Sequence, residues 1–265
     1  MMKRILITGA AGRIGKVLRE GLKENNFILR LCDIADLGEA STNEEIVQAN
    51  ICDLTSMIEA TKNVDYIIHL AGIPTEKQWD DLSQMNINGT YHVFEAARMN
   101  NVKRMIFASS NHAVGFHALP QEIDTQVSPR PDTLYGVTKV FGEALGHFYA
   151  DKYDLSVACL RIGSFLVQPK EQRHLRTWIS HRDMIQLVYK CVMAPAFNFL
   201  IIYGVSANSR NKWHNGETAQ FLEYYPQDNA EIYAKQLENV VDINVALTNK
   251  YHGGEFCDIA FGRRA

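Results

Sequence analysis

The sequence predicts a doubly wound α/β fold, a Rossmann-type parallel sheet covered by helices on both faces, with a small C-terminal substrate-binding cap. Three observations lead there. Short apolar runs alternate with longer segments of helical spacing through the first two thirds of the chain. Those runs lack a polar face, as strands covered on both sides must. The first run also ends in a glycine-rich turn that opens a helix, the arrangement of a dinucleotide-binding unit.

In chain order, residues 4–8 read as the first strand. Residues 15–24 read as the helix after it, with Ile14, Val17, Leu18 and Leu22 at helical spacing. Further strands are predicted at 27–32, 46–51, 66–70, 105–109 and 155–162, each apolar or β-branched and bounded by Asn, Asp or Gly. Helices are predicted at 55–62, 80–100 and 135–153, and the crossovers should be right-handed. Beyond Arg161 the pattern loosens. Residues 165–182 mix Pro, Lys, Arg and His, helix and strand return over 183–204, and 205–265 are polar and aromatic without a clean period. The expectation is one domain, 1–265, with a core of 1–164 and 183–204 and a cap of 165–182 and 205–265. Ser180-His-Arg-Asp183 has the form of a capping box, and Trp178, Trp213, Tyr224 and Tyr225 are expected to pack the cap.

With 46% hydrophobic and 22% charged residues, a chain of 265 can bury a core without staples, which excludes disorder. Against 30 acidic residues stand 27 basic ones, a net charge of -3, so neither nucleic acid nor an anionic membrane is an expected partner. Cys32, Cys52, Cys159, Cys191 and Cys257 are scattered and form no Cys-x-x-Cys pair, the usage of a reduced, cytoplasmic protein without a zinc framework. His112 and His117 lack ligand spacing, so no metal is expected. The N-terminal apolar run is too short for a signal segment or a membrane span.

The first strand runs into Gly9-Ala-Ala-Gly12-Arg13-Ile14-Gly15. Glycine at these positions allows a tight turn, a close approach to a pyrophosphate and close packing of helix on strand, while the helix N-terminus faces the anion. Asp33 ends the second strand, 18 residues past Gly15. A carboxylate there accepts both adenosine ribose hydroxyls and repels a 2′-phosphate, which favours NAD over NADP. Asp53 and Leu54 follow the third strand, where Asp53 either reaches the adenine or caps the next helix. Leu70, Ala71 and Gly72 close the fourth strand, at the carboxyl-end crevice expected for a ligand.

Ser110, Asn111 and His112 follow the fifth strand, and Tyr135-Gly-Val-Thr-Lys139 opens the next long helix. Four-residue spacing puts the phenol and the ammonium on one helical face. A tyrosine normally ionises near 10; beside Lys139 and a cationic nicotinamide it can act as a base near neutral pH.

These residues together resemble the extended short-chain dehydrogenase/reductase family, to which the NAD-dependent epimerases and dehydratases belong. The resemblance implies that Ser110 holds the reacting oxygen, that Tyr135 exchanges its proton, and that Lys139 binds the nicotinamide ribose and lowers the tyrosine pKa. It also implies that Asn86, in Met-Asn86-Ile-Asn-Gly-Thr, supports a proton relay. Phe107-Ala-Ser-Ser-Asn-His112, Arg130-Pro-Asp-Thr-Leu-Tyr-Gly-Val-Thr-Lys139, Leu160-Arg-Ile-Gly-Ser164, Thr177-Trp-Ile-Ser-His181 and Tyr203-Gly-Val-Ser-Ala-Asn208 resemble the members that oxidise C1 of a cyclic hexuronic acid to an aldarolactone with NAD. That likeness implies substrate contacts at Ser110, Asn111, His112, Tyr135, Ser164 and Arg173. Pro74 stands where that group usually has a serine and offers no donor; either Thr75 beside it replaces that hydroxyl or the substrate differs at that end. A sugar 1-dehydrogenase acting on glucose 6-phosphate, with Lys170, Arg173, His174 and Arg176 around the phosphate, stays open. So do an epimerase that recycles NAD and a non-catalytic NAD-bound regulatory protein. The expected partner is a small sugar acid, free rather than nucleotide-linked because the cap is short; a homo-oligomer is left open.

Overall fold

A computed structural model describes residues 2–240, 246 and 249–258; the rest of the expected cap, 241–245, 247–248 and 259–265, lies outside the described residues. The principal elements are β1 (Lys3–Thr8), α1 (Arg13–Gly21), β2 (Phe27–Asp33), β3 (Glu44–Gln48), α2 (Leu54–Ala60), β4 (Tyr66–His69) and α3, which runs from Trp79 to Met99. They continue with β5 (Arg104–Ser110), α4 (Leu134–Tyr153), β6 (Ser156–Ile162), α5 (His181–Met193) and β7 (Phe199–Gly204). The seven strands form one sheet in the order β7-β6-β5-β4-β1-β2-β3. β1 pairs in parallel with β2 and β4, β2 with β3, and β4 with β5. This is the doubly wound arrangement read from the sequence.

The chain divides into two compact units, one of Met1–Ala108, Phe141–Cys159 and Cys191–Leu200, the other of Ser109–Val140, Leu160–Lys190 and Ile201–Ala265. That division differs from the expected core and cap. Residues 109–140 group with the second unit, because the chain changes unit within β5, β6 and β7 rather than after them.

In the first unit, Ile5, Leu6, Ile7, Leu31, Ile67, Ile68, Met105 and Ile106 are fully buried, strands apolar on both faces. Several connections into the strands turn through a left-handed Asn or Asp: Asn26, Asn43, Asn63, Asn101 and Asp154 have φ between 55° and 63°. These are the residue types that tolerate this region, and they terminate the preceding segment. β3 lies at Glu44–Gln48 rather than 46–51. Its pairing with β2 ends at Asp33 opposite Gln48, and Asn50 then makes a turn by accepting the Cys52 N–H at 2.9 Å. Arg104 closes the C-terminal end of α5 by donating to the carbonyls of Cys191, Val192, Ala194 and Pro195 at 2.8–3.0 Å.

α3 is not one uniform helix. Trp79–Leu82 and Gly89–Met99 are α-helical, but Ser83–Asn88 between them is a π-helical segment, a device concentrated at functional sites. It carries Asn86.

The second unit holds two apolar clusters. Val114, Ile123, Tyr203, Val205 and Trp213 form one, with Tyr203 stacked on Trp213 at 5.4 Å; Leu175, Trp178, Ala230 and Leu237 form the other. Trp178, Trp213 and Tyr224 are buried as expected, whereas Tyr225 is 64% exposed. The Ser180 hydroxyl accepts the Asp183 N–H at 3.0 Å, the first half of a capping box. The second half is absent. The Asp183 carboxylate accepts from the backbone N–H groups of Gln227 (2.9 Å) and Asp228 (3.0 Å) instead, and ties that loop to α5.

The last described segment is laid down by pairing. Gly253 N donates to the Gly115 carbonyl at 2.8 Å and His252 N to that of His117 at 3.1 Å. His252 is held neutral: Nδ1 accepts the Trp213 indole N–H at 2.9 Å while Nε2 donates to the Gln121 carbonyl at 2.9 Å. Burial accordingly pushes its pKa down from 6.5 to about 4. Above pH 6.5 this arrangement is fully stabilising. As the pH falls from 6.5 toward about 4 the unfolded chain takes up a proton that the folded chain refuses, and about 3 kcal/mol is lost. We expect denaturant midpoints to fall over that window, and the fall to flatten in His252→Gln, which keeps one acceptor and one donor but does not titrate.

Candidate functional site

The glycine loop lies in the first unit. Gly9 has φ +70°, and a Cβ there would sit 2.7 Å from the Ala71 nitrogen. A Cβ on Gly15 would meet the Ala10 backbone at 2.7 Å. Any side chain at either position would lift the loop off β4 or α1 off the loop, so both glycines are required by close approach. Gly12 is the N-cap of α1, and Arg13 and Ile14 begin its first turn, whose N–H groups have no carbonyl ahead of them in the helix. Asp33 serves this loop directly. One carboxylate oxygen accepts the Ala11 N–H at 2.9 Å and the other that of Ala35 at 3.0 Å, which leaves each oxygen a further lone pair.

Asp53 is the N-cap of α2, accepting the Thr55 N–H at 3.0 Å and the Ser56 hydroxyl at 2.5 Å, and Leu54 begins the helix. Of the two expectations for Asp53, capping is what its side chain does here. Leu70 and Ala71 leave β4 by donating to the Thr8 carbonyl (3.2 Å) and hydroxyl (3.4 Å), and Gly72 follows with φ +144°. Asn86 grips the next residue from both sides. Its oxygen accepts the Ile73 N–H at 2.7 Å and its nitrogen donates to the Ile73 carbonyl at 3.0 Å. The π-helical segment thus aims Asn86 at the backbone that leads into exposed Pro74 and half-buried Thr75.

The second unit gathers Ser110, Asn111, His112, Tyr135, Lys139, Ser164 and Arg173. Ser110 ends β5 and caps the single turn Asn111–Val114 by accepting the His112 N–H at 3.2 Å. α4 begins just before Tyr135 because Thr133 caps it, its hydroxyl oxygen accepting the Gly136 N–H at 2.9 Å. Tyr135 and Lys139 are buried on this first turn and a half, with the ammonium 5.5 Å from the ring centroid. Burial dominates both. It pushes the Tyr135 phenol up to about 12, against the lowering effect of a Ser110 hydrogen bond, and the charge of Asp132 pushes it further. The same desolvation brings Lys139 down to about 8. These side chains alone therefore leave the phenol above its usual value, because desolvation dominates.

Arg173 is 5% exposed. With the Asn111 amide oriented to satisfy both neighbours, its oxygen accepts from Arg173 at 3.2 Å and its nitrogen donates to the Ile162 carbonyl at 3.0 Å. Gly254, at φ +63°, lies against the Arg173 side chain so closely that a Cβ would come within 2.7 Å of it. Burial lowers the guanidinium pKa, opposed by Glu171, Asp132 and Glu255. The Thr177 hydroxyl lies 3.2 Å from the Arg173 carbonyl and 2.8 Å from the Ser164 hydroxyl, and either hydroxyl can be the donor between the two. Either way Ser164 keeps at least one lone pair to offer a ligand.

Two further members of this cluster carried no sequence signal. Asp132 lies 2.7 Å from His112 Nδ1, but in Pro-Asp-Thr ahead of a helix it looks like one more turn residue. Phe256 faces His112 at 4.1 Å between ring centroids and lies 6.0 Å from the Arg173 guanidinium, yet it belongs to a stretch with no periodicity. Among the described residues no group of three or more His, Cys, Asp or Glu is placed to hold a metal, and no helix is long and apolar enough to cross a membrane.

A glycine loop on a parallel sheet, with a Ser–Tyr–Lys set on the strand and helix downstream, defines a class of Rossmann-type, dinucleotide-dependent enzymes. Residues 5–182 match the NAD dependent epimerase/dehydratase family, and the chain belongs to that family. It is 40% identical over 260 residues to a uronate dehydrogenase of Agrobacterium fabrum (strain C58), covering 97% of each chain. A solved structure of glucuronic acid dehydrogenase from Chromohalobacter salexigens matches with a TM-score of 0.94 at 40% identity, covering 100% of both chains. A mutant uronate dehydrogenase from Agrobacterium tumefaciens, complexed with NAD, matches with a TM-score of 0.93 at 39% identity, again over 100% of both.

Proposed function

We propose that the protein oxidises C1 of a free cyclic hexuronate, glucuronate or galacturonate, to an aldarolactone with NAD as cofactor. The observation that carries this reading is Arg173, a buried guanidinium in the same unit as Ser110, Tyr135 and Lys139. A guanidinium fork meets a carboxylate bidentately, and in a dry site that pairing supplies geometry as well as charge. The kinship with uronate dehydrogenases supports it.

The residues fit the cofactor: Gly9 and Gly15 let the loop pack tightly ahead of the N-terminus of α1, whose first N–H groups have no carbonyl ahead of them, and Asp33 keeps lone pairs for a ribose. Bound here, NAD would supply the acceptor for the C1 hydride and the positive charge of its ring. Gly9, Gly12, Arg13, Ile14 and Gly15 would face the pyrophosphate, with Asp33 at the adenosine ribose and Asp53, Leu54, Leu70, Ala71 and Gly72 beside the rest. Ser110 orients the C1 oxygen, the Tyr135 phenolate takes its proton, and Lys139 favours that phenolate and holds the nicotinamide ribose. Asn86 keeps the backbone at Ile73 in place. Thr75, Asn111, His112 and Ser164 bind sugar hydroxyls, and Arg173 binds the carboxylate. The lactone then hydrolyses without help from the enzyme.

A phosphate at this end is less well served. The Lys170 side chain is exposed, and His174 is engaged by the Lys170 N–H at 3.1 Å and by Glu171 at 3.1 Å. The test is a panel of uronic acids, neutral aldoses and sugar phosphates assayed with NAD and NADP by absorbance of the reduced cofactor. NADH formation from glucuronate or galacturonate is expected. Turnover confined to glucose 6-phosphate or a neutral sugar would reject the reading, sugar interconversion without net NADH would point to an epimerase, and NAD binding with no turnover to a regulatory protein.

Cofactor choice has its own test in Asp33→Asn, which removes the charge and keeps one acceptor, for the Ala11 or the Ala35 N–H. The NADP-to-NAD ratio of kcat/KM should rise at least about tenfold, equivalent to about 1.4 kcal/mol. An unchanged ratio would place Asp33 away from the ribose. The five cysteines are free thiols, which supports a reducing, cytoplasmic setting.

A further inference from the structure

Asp132 sits at the centre of the second unit's polar cluster and has no place in the scheme above. Its side chain is 0% exposed, and its charge acts on His112, Tyr135, Arg173 and Cys257. Oδ2 lies 2.7 Å from His112 Nδ1. Oδ1 accepts the Thr133 hydroxyl at 3.1 Å, and the direction of that bond is fixed, because the Thr133 oxygen already accepts the Gly136 N–H and so turns its proton toward Asp132. Gly115 and Gly253 close around Oδ2, so that a Cβ on either would overlap it. The carboxylate can neither rotate nor be reached by water from that side.

His112 is equally constrained. Phe256 covers it at 4.1 Å between centroids and the Tyr135 ring meets it edge-on at 6.0 Å. Among the described residues Nε2 makes no hydrogen bond. A carboxylate facing Nδ1 demands a proton there, and in a neutral imidazole this leaves Nε2 with a lone pair. We infer that Asp132 is a positioning residue that fixes the His112 tautomer, with the proton on Nδ1, so that Nε2 meets a sugar hydroxyl as an acceptor. This rests on reading the cluster as a sugar site. With Nε2 as an acceptor, the bound sugar must donate a hydroxyl proton to His112.

The critical variant is Asp132→Asn. Because Thr133 donates at the Oδ1 position, the amide must place its oxygen there and turn its NH2 toward His112. Nδ1 is then forced to accept and the proton moves to Nε2. In protein labelled with ¹⁵N-histidine, His112 should show a protonated Nδ1 and an unprotonated Nε2, and the two signals should exchange character in Asp132→Asn. With glucuronate, the variant should lose about 10²-fold in kcat/KM, mostly in KM, the consequence of a buried donor set against a donor. In a His112→Ala background the same change should cost at least about tenfold less, what remains being the loss of the Asp132 charge beside Tyr135 and Arg173.

An Nε2-protonated His112 in the unmutated protein overturns the inference with no variant needed. So does an undiminished loss from Asp132→Asn in the His112→Ala background. The nitrogen shifts are read without substrate, so an enzyme that ignores uronates but shows the expected tautomer sinks the proposed function and not this inference. The reverse pattern sinks only the inference.

Discussion

Tyr135→Phe is expected to lower kcat for uronate oxidation by about 10³-fold or more, at the upper part of the range for losing a positioned general base, with NAD affinity within about threefold of the unmutated protein. The change removes one oxygen and leaves the packing. The ring keeps its edge contact with His112 and its place under the Lys139 ammonium. What goes is the group that accepts the C1 hydroxyl proton, which neither Ser110 nor Lys139 can replace. Ser110 is a hydroxyl that ionises far above neutral pH, and Lys139, although lowered to about 8, is a cation at neutral pH. Since burial holds the phenol at about 12 without cofactor, the base form must be bought by the positive charges around it. In the unmutated enzyme, activity should therefore rise with pH as the phenol ionises, with a midpoint below 12 in the ternary complex. Each unit of lowering measures about 1.4 kcal/mol of stabilisation of the phenolate. Stopped-flow hydride transfer across pH, with and without Tyr135, checks both parts. A variant that keeps a tenth of the activity would remove Tyr135 from the chemistry.

The strands of the first unit were legible because their burial on both faces leaves runs with no polar alternation, and because Asn or Asp at φ near 60° punctuates them. What was not legible had local causes. The strand at Glu44–Gln48 was displaced in the sequence reading because buried Ile51 extends its apolar run into a turn made by Asn50. The π-helical segment within α3 was invisible because one wide turn perturbs a hydrophobic period by less than the scatter of the residues that define it.

The site divides along the same line. Residues whose roles depend on spacing along the chain, the three glycines or Tyr135 with Lys139, could be read from neighbours. Asp132 and Phe256 could not. Their partners, His112 at 20 positions' separation and Arg173 far upstream of Phe256, are set by tertiary pairing such as Gly253 with Gly115. Asp183 shows how a motif can be half right: Ser180 caps as its pattern predicts, but two loop N–H groups compete successfully for the carboxylate that the motif would have turned back on the chain.

Arg173→Met should cost about 10²- to 10³-fold in kcat/KM for glucuronate and leave a neutral aldose within a fewfold. The magnitude follows from charge and burial. A hydrogen bond to an ionised group is worth about 1.5–3 kcal/mol, and removing one partner of a buried pair costs about 3–5 kcal/mol because the other charge stays behind uncompensated. Here the charge left behind belongs to the substrate, which can remain in water instead, so the loss settles toward the lower figures and falls on binding. Methionine keeps the stem out to about the Nε position, so the contact with Gly254 survives while the guanidinium's approach to Phe256 is lost. Arg173→Lys should recover only part of the loss, since an ammonium brings charge without the planar fork. It also leaves the Asn111 oxygen, 3.2 Å from the guanidinium, to find another donor. The comparison between sugars separates recognition from folding: a collapsed site loses all substrates together, whereas a missing carboxylate partner loses only the acid. Equal losses on glucuronate and on its neutral counterpart would show that Arg173 supports the fold of the site and does not read the carboxylate.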